Sequence, residues 1–213
     1  MNTETLLSLL ARMQQKMEEQ KDFLTELDNA IADGDHGINM AKGFRAVTEK
    51  TDQLQEQNIG SALKTVGMTL VSAVGGSAGP LYGTAFLKAG MLMGEKTEMK
   101  LGDFLACMKA AVDGVMARGR AVRGEKTMLD AMIPALESME QANAEGLPAK
   151  AVLEAGVSAA FDGVAYTKTI AATKGRASYI GERSIGHQDP GATSFALLLE
   201  VVADFFQRKS VTV

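Results

Sequence analysis

Asp28, Asp33 and Asp35 fall within eight residues of one another. The stretch ADGDHGIN (32–39) sets the last two around a glycine, with His36 directly after. Asp28 lies about one turn before the expected end of a helix, and Gly34 can take a positive φ that reverses the chain. Such a reversal lets the three side chains converge, and converging carboxylates repel unless a hard cation compensates them. Two readings stand side by side. In one, Asp33 and Asp35 cap the following helix and Asp28 is solvated; taken alone, the loop favours this reading. In the other, the three hold a metal.

The residue types narrow which metal that would be. A calcium EF-hand loop started at Asp33 would place Gly37 at its fifth position and Phe44 at its twelfth, so that pattern fails. Zinc would want His and Cys at ligand spacing, and the chain has only His36, His187 and the distant Cys107. Magnesium remains, since it takes one or two carboxylates and completes its shell with water and substrate phosphates. Three aspartates can seat two such ions bridging a polyphosphate.

A phosphate site also needs anion cradles, and three glycine-rich connections offer them. GGSAGP (75–80) leads into a helix and supplies backbone N–H groups with the positive end of a helix dipole. A tight turn with close helix packing explains it equally well. GRAVRGEKT (119–127) resembles a Walker A motif with one extra residue before Lys126. A helix precedes it where that motif needs a strand, so the P-loop reading is rejected. What survives is a basic loop ending in Thr127-Met128 at a helix start, and Met128 fits a core position equally. The last connection, TKGRASYIGERSIGHQDPGA (173–192), carries Arg176, Arg183 and His187, then Asp189-Pro190-Gly191. Arginine suits bidentate phosphate contact, although a surface arginine is often only solvated. An acidic loop, a glycine cradle and two basic loops together describe a Mg-nucleotide site.

These loops need a scaffold. Leu10, Met17, Leu24 and Ile31 recur every seven residues, interleaved by Leu6, Met13 and Leu27. That spacing predicts one long helix over 4–31 with an apolar stripe. Further helices are expected at 38–56, 59–74, 80–94, 100–118, 127–143, 148–171 and 190–208. Pro80, Pro148 and Pro190 fall at helix starts, whereas Pro134 should kink its helix or shift its beginning. Aromatics are 5% and β-type alternation is missing, so a substantial sheet is not expected. The fold class is all-α, an antiparallel bundle of eight helices in a single domain over 1–213.

Bulk properties bound the rest. With 213 residues, 46% of them apolar, the chain can bury a sizeable core. A net charge of -4 argues against general nucleic-acid binding. Cys107 has no partner for an intrachain disulfide, which fits a reducing compartment, and its apolar surroundings suggest a packed side chain. Neither a signal peptide nor a membrane span is expected, so the expected location is cytoplasmic.

Four blocks together carry a family resemblance. LTELDNAIADGDHGINMAKGF (24–44), GGSAGPLYGTAF, RGEKTMLDAMIPALES and ATKGRASYIGERSIGHQDPGA resemble, in order and spacing, the signatures of the DhaL subunits of dihydroxyacetone kinase. The resemblance implies an eight-helix antiparallel up-and-down barrel with nucleotide-binding loops at one end. It implies Asp28, Asp33 and Asp35 as ligands of two Mg²⁺. It places His36, Gly37, Ile38 and Asn39 along the nucleotide, Ser77 and Ala78 at its phosphates, and Gly119 and Met128 beside adenine. Arg176 and Asp189, Pro190 and Gly191 complete the pocket. Ala78 stands where the family more often has Ser, offering backbone N–H groups without a hydroxyl.

The implied activity is phosphoryl transfer through bound ADP/ATP to dihydroxyacetone on a DhaK subunit. In the phosphotransferase-system branch a DhaM phosphohistidine recharges the ADP, and a stand-alone chain of this length favours that branch. Such transfer needs positioning and charge neutralisation, which Mg²⁺ and Arg176 can supply. Three alternatives stay open: a subunit consuming free ATP to phosphorylate a related ketose, a Mg-nucleotide sensor that binds a transcription regulator, and a helical interaction protein with capped, empty loops.

Overall fold

The computed structural model describes the backbone over residues 1–210 and side chains through Gln207. Among these residues the secondary structure is helical throughout, with no strand. Ten α-helices are present: α1 Thr3–Glu19, α2 Lys21–Ile31, α3 His36–Thr48, α4 Thr51–Gln55, α5 Ile59–Ala73, α6 Ala78–Met93, α7 Leu101–Gly119, α8 Leu129–Ala144, α9 Ala149–Thr167 and α10 Pro190–Ser210. A 3-10 segment, Arg176–Ser184, lies before the last helix. No described helix is long and apolar enough to cross a membrane.

The all-α expectation holds, while the expected count of eight changes because two helices are broken. The long helix over 4–31 ends at Gln20, whose N–H caps the carbonyls of Lys16 and Glu18. Its apolar stripe continues across the break: Leu6, Leu10, Met13 and Met17 are buried on α1, and Leu24 and Ile31 on α2. The helix expected over 38–56 breaks near Lys50. There the Thr48 and Thr51 hydroxyls donate to the carbonyls of Arg45 and Thr48, offering that backbone an alternative to helical bonding.

The chain folds as two compact units. One comprises Met1–Asp22 with Asp35–Arg120, the other Phe23–Gly34 with the chain from Ala121 onward. In the first unit, α5 and α6 form an antiparallel pair in which backbone meets backbone. A Cβ on Gly67 would lie 2.8 Å from the Gly83 carbonyl oxygen, and one on Gly60 would lie 2.0 Å from that of Gly94. Only glycine allows so close an approach, and it fixes the four-residue connection (74–77) at one end of the pair. Helix α7 packs on α6, with Gly114 against Thr84 and Lys88.

In the second unit α8 and α9 are also antiparallel, Gly156 meeting Met139 and Gly163 meeting Asp130. The latter contact answers the question that Pro134 raises. Pro134 lies inside α8 and has no N–H for the carbonyl of Asp130, four residues back. A Cβ on Gly163 would sit 2.0 Å from that carbonyl oxygen, so α9 closes over it directly. Helix α10 packs on both α8 and α9.

Candidate functional site

Helix α2 ends at Ile31, and Gly34 turns the chain with φ +73. A Cβ there would meet the Asn29 side-chain oxygen at 1.8 Å, so any other residue would have to displace that amide as well as take a left-handed backbone conformation. Within this stretch, one oxygen from each of Asp28, Asp33 and Asp35 lies within 4.8 Å of the others. Asp28 is buried, Asp35 half-buried and Asp33 exposed. The solvated, capping role fails for two of the three. Asp28 is only 6% exposed, and Asp35, although it precedes α3, makes no capping hydrogen bond with its side chain. All the clustered donors are hard carboxylate oxygens without a sulfur or imidazole among them, a set that fits Mg²⁺ better than zinc.

Within the first unit, the glycine turn comes up against the same loop. Gly76 takes φ +62, and a Cβ on it would be 4.0 Å from Asp35 Oδ1. Gly75 abuts the Asn39 amide, 3.0 Å from where its Cβ would be. Gly75, Gly76 and Ser77 are exposed, and Ser77 makes no side-chain cap on α6, leaving the first turn of that helix uncapped by its N-cap side chain. His36, Gly37, Ile38 and Asn39 form the first turn of α3, where His36 and Gly37 are buried and Ile38 is exposed. Ala78 begins α6, and Gly119 is the exposed last residue of α7.

Within the second unit, Arg176 reaches Asp33, its Nη1 3.1 Å from the carboxylate. Both partners are substantially exposed, so the pair contributes little to stability and matters as placed charge. Asp189 caps α10 by accepting the Ala192 N–H at 2.7 Å, and Pro190 opens that helix, where a missing N–H is harmless. Gly191 lies against Met128, which is buried. Burial pushes the Asp189 carboxyl up to about 7; the Ala192 N–H opposes this, and Asp130 and Asp28 add to it.

Three residues outside the sequence-derived set complete this unit. Buried Asp130 accepts the Gly124 N–H at 2.5 Å and the Thr127 N–H at 2.8 Å, fixing the turn before α8. Its signal was present as Thr127-x-x-Asp130, the spacing of a capping box. Buried Thr167 accepts the Asp189 N–H at 2.9 Å through its hydroxyl. Lys126, the lysine of the rejected Walker-like motif, is 1% exposed. Its ammonium donates to backbone carbonyls of Thr167, Ile170 and His187. Cys107 is also buried, its thiol pushed up to about 11 chiefly by desolvation, as a packed and unreactive side chain requires.

The DAK2 domain family matches residues 30–204. The chain is 44% identical over 184 residues to the ADP-binding subunit DhaL of the PEP-dependent dihydroxyacetone kinase of Escherichia coli, covering 86% of this chain and 88% of that protein. It is 40% identical over 204 residues to the ADP-binding DhaL subunit of the PTS-dependent kinase of Lactococcus lactis, covering 94% and 98%. Among solved structures, the dihydroxyacetone kinase of C. freundii in complex with AMP-PNP and Mg²⁺ superposes with a TM-score of 0.73. The identity there is 23%, over 93% of this chain and 33% of that one, a likeness of fold. By domain match and by identity over most of its length, the chain belongs to the DAK2-domain family, alongside the DhaL subunits of dihydroxyacetone kinases.

Proposed function

We propose that the chain, as one functional domain over 1–213, is the nucleotide-carrying subunit of a dihydroxyacetone kinase. Through it a phosphoryl group passes from a DhaM-type phosphohistidine to dihydroxyacetone held on a DhaK-type subunit. The observation that carries this reading is the convergence of Asp28, Asp33 and Asp35, whose oxygens lie within 4.8 Å of one another in a chain of this family. The three aspartates hold two Mg²⁺ in this proposal. Mg²⁺ when bound supplies neutralisation of the diphosphate charge.

The chain's own residues bind and orient. Backbone N–H groups of the exposed Gly75–Ser77 turn and of half-buried Ala78 receive phosphate oxygens, supported by the positive end of α6. His36, Gly37, Ile38 and Asn39 line the nucleotide at the start of α3, with Gly119, Met128, Asp189, Pro190 and Gly191 as the remaining lining residues. Arg176, already drawn to the carboxylates by Asp33, offers a further positive charge to the transferring phosphoryl group. Phosphoryl transfer of this kind is served by positioning and charge stabilisation without a covalent intermediate on these loops, so no nucleophile is required of them. A cytoplasmic setting suits a chain whose single thiol is buried and free.

The test is the nucleotide and metal content of the protein as purified. Near-stoichiometric ADP with Mg²⁺, retained through gel filtration, supports the fixed-coenzyme reading and a phosphohistidine donor. A protein that is empty yet binds Mg-ATP reversibly points to a subunit consuming free ATP. No nucleotide binding even with added Mg²⁺ would overturn the kinase reading.

A further inference from the structure

Residues 168–189 join α9 to α10 with one 3-10 segment, broken at Gly181, and no α-helix. Long connections of this kind inside a compact unit are held or they wander. This one is held at both ends. The Gly186 N–H donates to the Lys168 carbonyl at 2.8 Å, and the Asp189 N–H to the Thr167 hydroxyl at 2.9 Å. Ser184 accepts the Ala172 N–H at 2.8 Å, and the Thr173 N–H reaches the Glu125 carbonyl at 3.3 Å.

Lys126 is buried and bonds to the same connection. An ammonium has three N–H donors. Here they go to the carbonyls of Thr167 and Ile170, where the connection begins, and of His187, where it ends. The residue adopts φ +60, a left-handed conformation that a side chain other than glycine rarely takes. A glycine would suit the backbone better and leave the three carbonyls without this donor. Burial disfavours the charged amine, and the charges of Asp189 and Asp130 favour it. With all its donors on backbone carbonyls, this lysine is not placed to grip a phosphate as a Walker lysine does.

We propose that Lys126 is a positioning residue: by binding the carbonyls of Thr167, Ile170 and His187 it sets the placement of segment 168–189. It thereby sets the placement of Arg176 and of Asp189, which the connection carries up to the Pro190-Gly191 start of α10. Their role toward Mg-nucleotide rests on the function proposed above; the clamp itself does not.

The test uses the full chain and Lys126→Met, which keeps the apolar stem and removes the donors. Hydrogen exchange in 168–189 rises about tenfold or more, with α5 and α6 amides unchanged. Mg-ADP affinity falls by about tenfold or more, while Mn²⁺ affinity without nucleotide stays within about threefold. Unchanged exchange in 168–189, equal loosening of α5 and α6, or retained Mg-ADP affinity would each overturn the positioning role. If the variant does not fold, the wild-type protein decides. The Gly186 and Asp189 amides should exchange as slowly as those of α9, and exchange at loop rates overturns the clamp. Wild-type protein that binds no Mg-ADP removes the nucleotide reading and the role toward it, while local exchange still decides whether the clamp exists.

Discussion

The α5–α6 pair of the first unit and the 121–128 and 168–189 loops of the second solve the same problem by opposite means. Each must hold irregular backbone in a fixed place. In the first unit the Gly75–Ser77 turn is fixed from below: glycines at 60, 67, 83 and 90 let two helix backbones touch, leaving the turn little freedom. In the second, the loops are stitched by buried polar side chains, with Asp130 on two N–H groups, Thr167 on a third and Lys126 on three carbonyls. The first device depends on having no side chain, the second on particular side chains. They should therefore fail differently, the first by steric exclusion and the second by stranding polar groups.

The largest effect is expected at the glycine interface. Gly67→Val puts branched carbon where a single Cβ already lies 2.8 Å from the Gly83 carbonyl oxygen and 2.9 Å from the Leu87 nitrogen. Backbone cannot yield as a side chain can. The variant should lose at least about 3 kcal/mol in urea unfolding, or yield no folded protein. A loss under about 1 kcal/mol would mean that the helices slide apart easily and that the turn is held by something else.

Next in size is the acidic loop, where the two readings of one residue can be separated. Asp35→Ala should weaken Mg-ADP binding by about a hundredfold while changing stability by less than about 0.5 kcal/mol, because the side chain does not cap α3. If Asp35 were a cap, the pattern would invert: stability would fall by about 1 kcal/mol and ligand affinity would hold. Calorimetric titration beside thermal unfolding reads both quantities.

These two sites also show what the sequence makes legible. Helix type and most helix positions follow from the apolar spacing, and the carboxylate cluster follows from Asp28, Asp33, Asp35 and one glycine that reverses the chain. The breaks at Gln20 and Lys50 were not legible, because the periodicity runs through them: Leu24 and Ile31 continue the stripe of Leu10 and Met17 although they serve another unit. Lys126 was hidden for a different reason. In sequence it is one charge in a basic loop, and a basic loop is ordinarily solvated. Only the fold brings three carbonyls from 41, 44 and 61 residues away to its ammonium. Contacts made by backbone acceptors leave no residue type to read.

A smaller effect tests the stitched unit through pH. Asp189 is buried, with its carboxyl raised from 3.8 to about 7. A group raised on folding stabilises fully below its unfolded value, and that stability is lost as pH rises through the folded value. Wild type should thus lose stability relative to Asp189→Asn between pH 5 and 8, with chelator present to keep the neighbouring carboxylates free of metal. About 2 kcal/mol is expected, roughly half of what the full shift would carry at about 1.4 kcal/mol per pH unit. A difference between the two proteins that stays flat with pH would show that Asp189 is ionised throughout and compensated by Lys126.

The smallest effect is expected at Ala78. It opens α6 beside the exposed turn, and a hydroxyl there would add one donor to a site already supplied by backbone N–H groups. A single exposed hydrogen bond is worth about 0.5–1.5 kcal/mol, so Ala78→Ser should tighten Mg-ADP by at most about tenfold, and nearer threefold if water competes. Stability should stay within about 0.5 kcal/mol. Little change would mean that the turn binds phosphate through backbone fixed by glycine packing, so that the side chain at this position is free to vary. A gain well beyond tenfold would mean that the first unit also depends on a polar side chain, and the contrast with the Lys126 loops would narrow to a difference in degree.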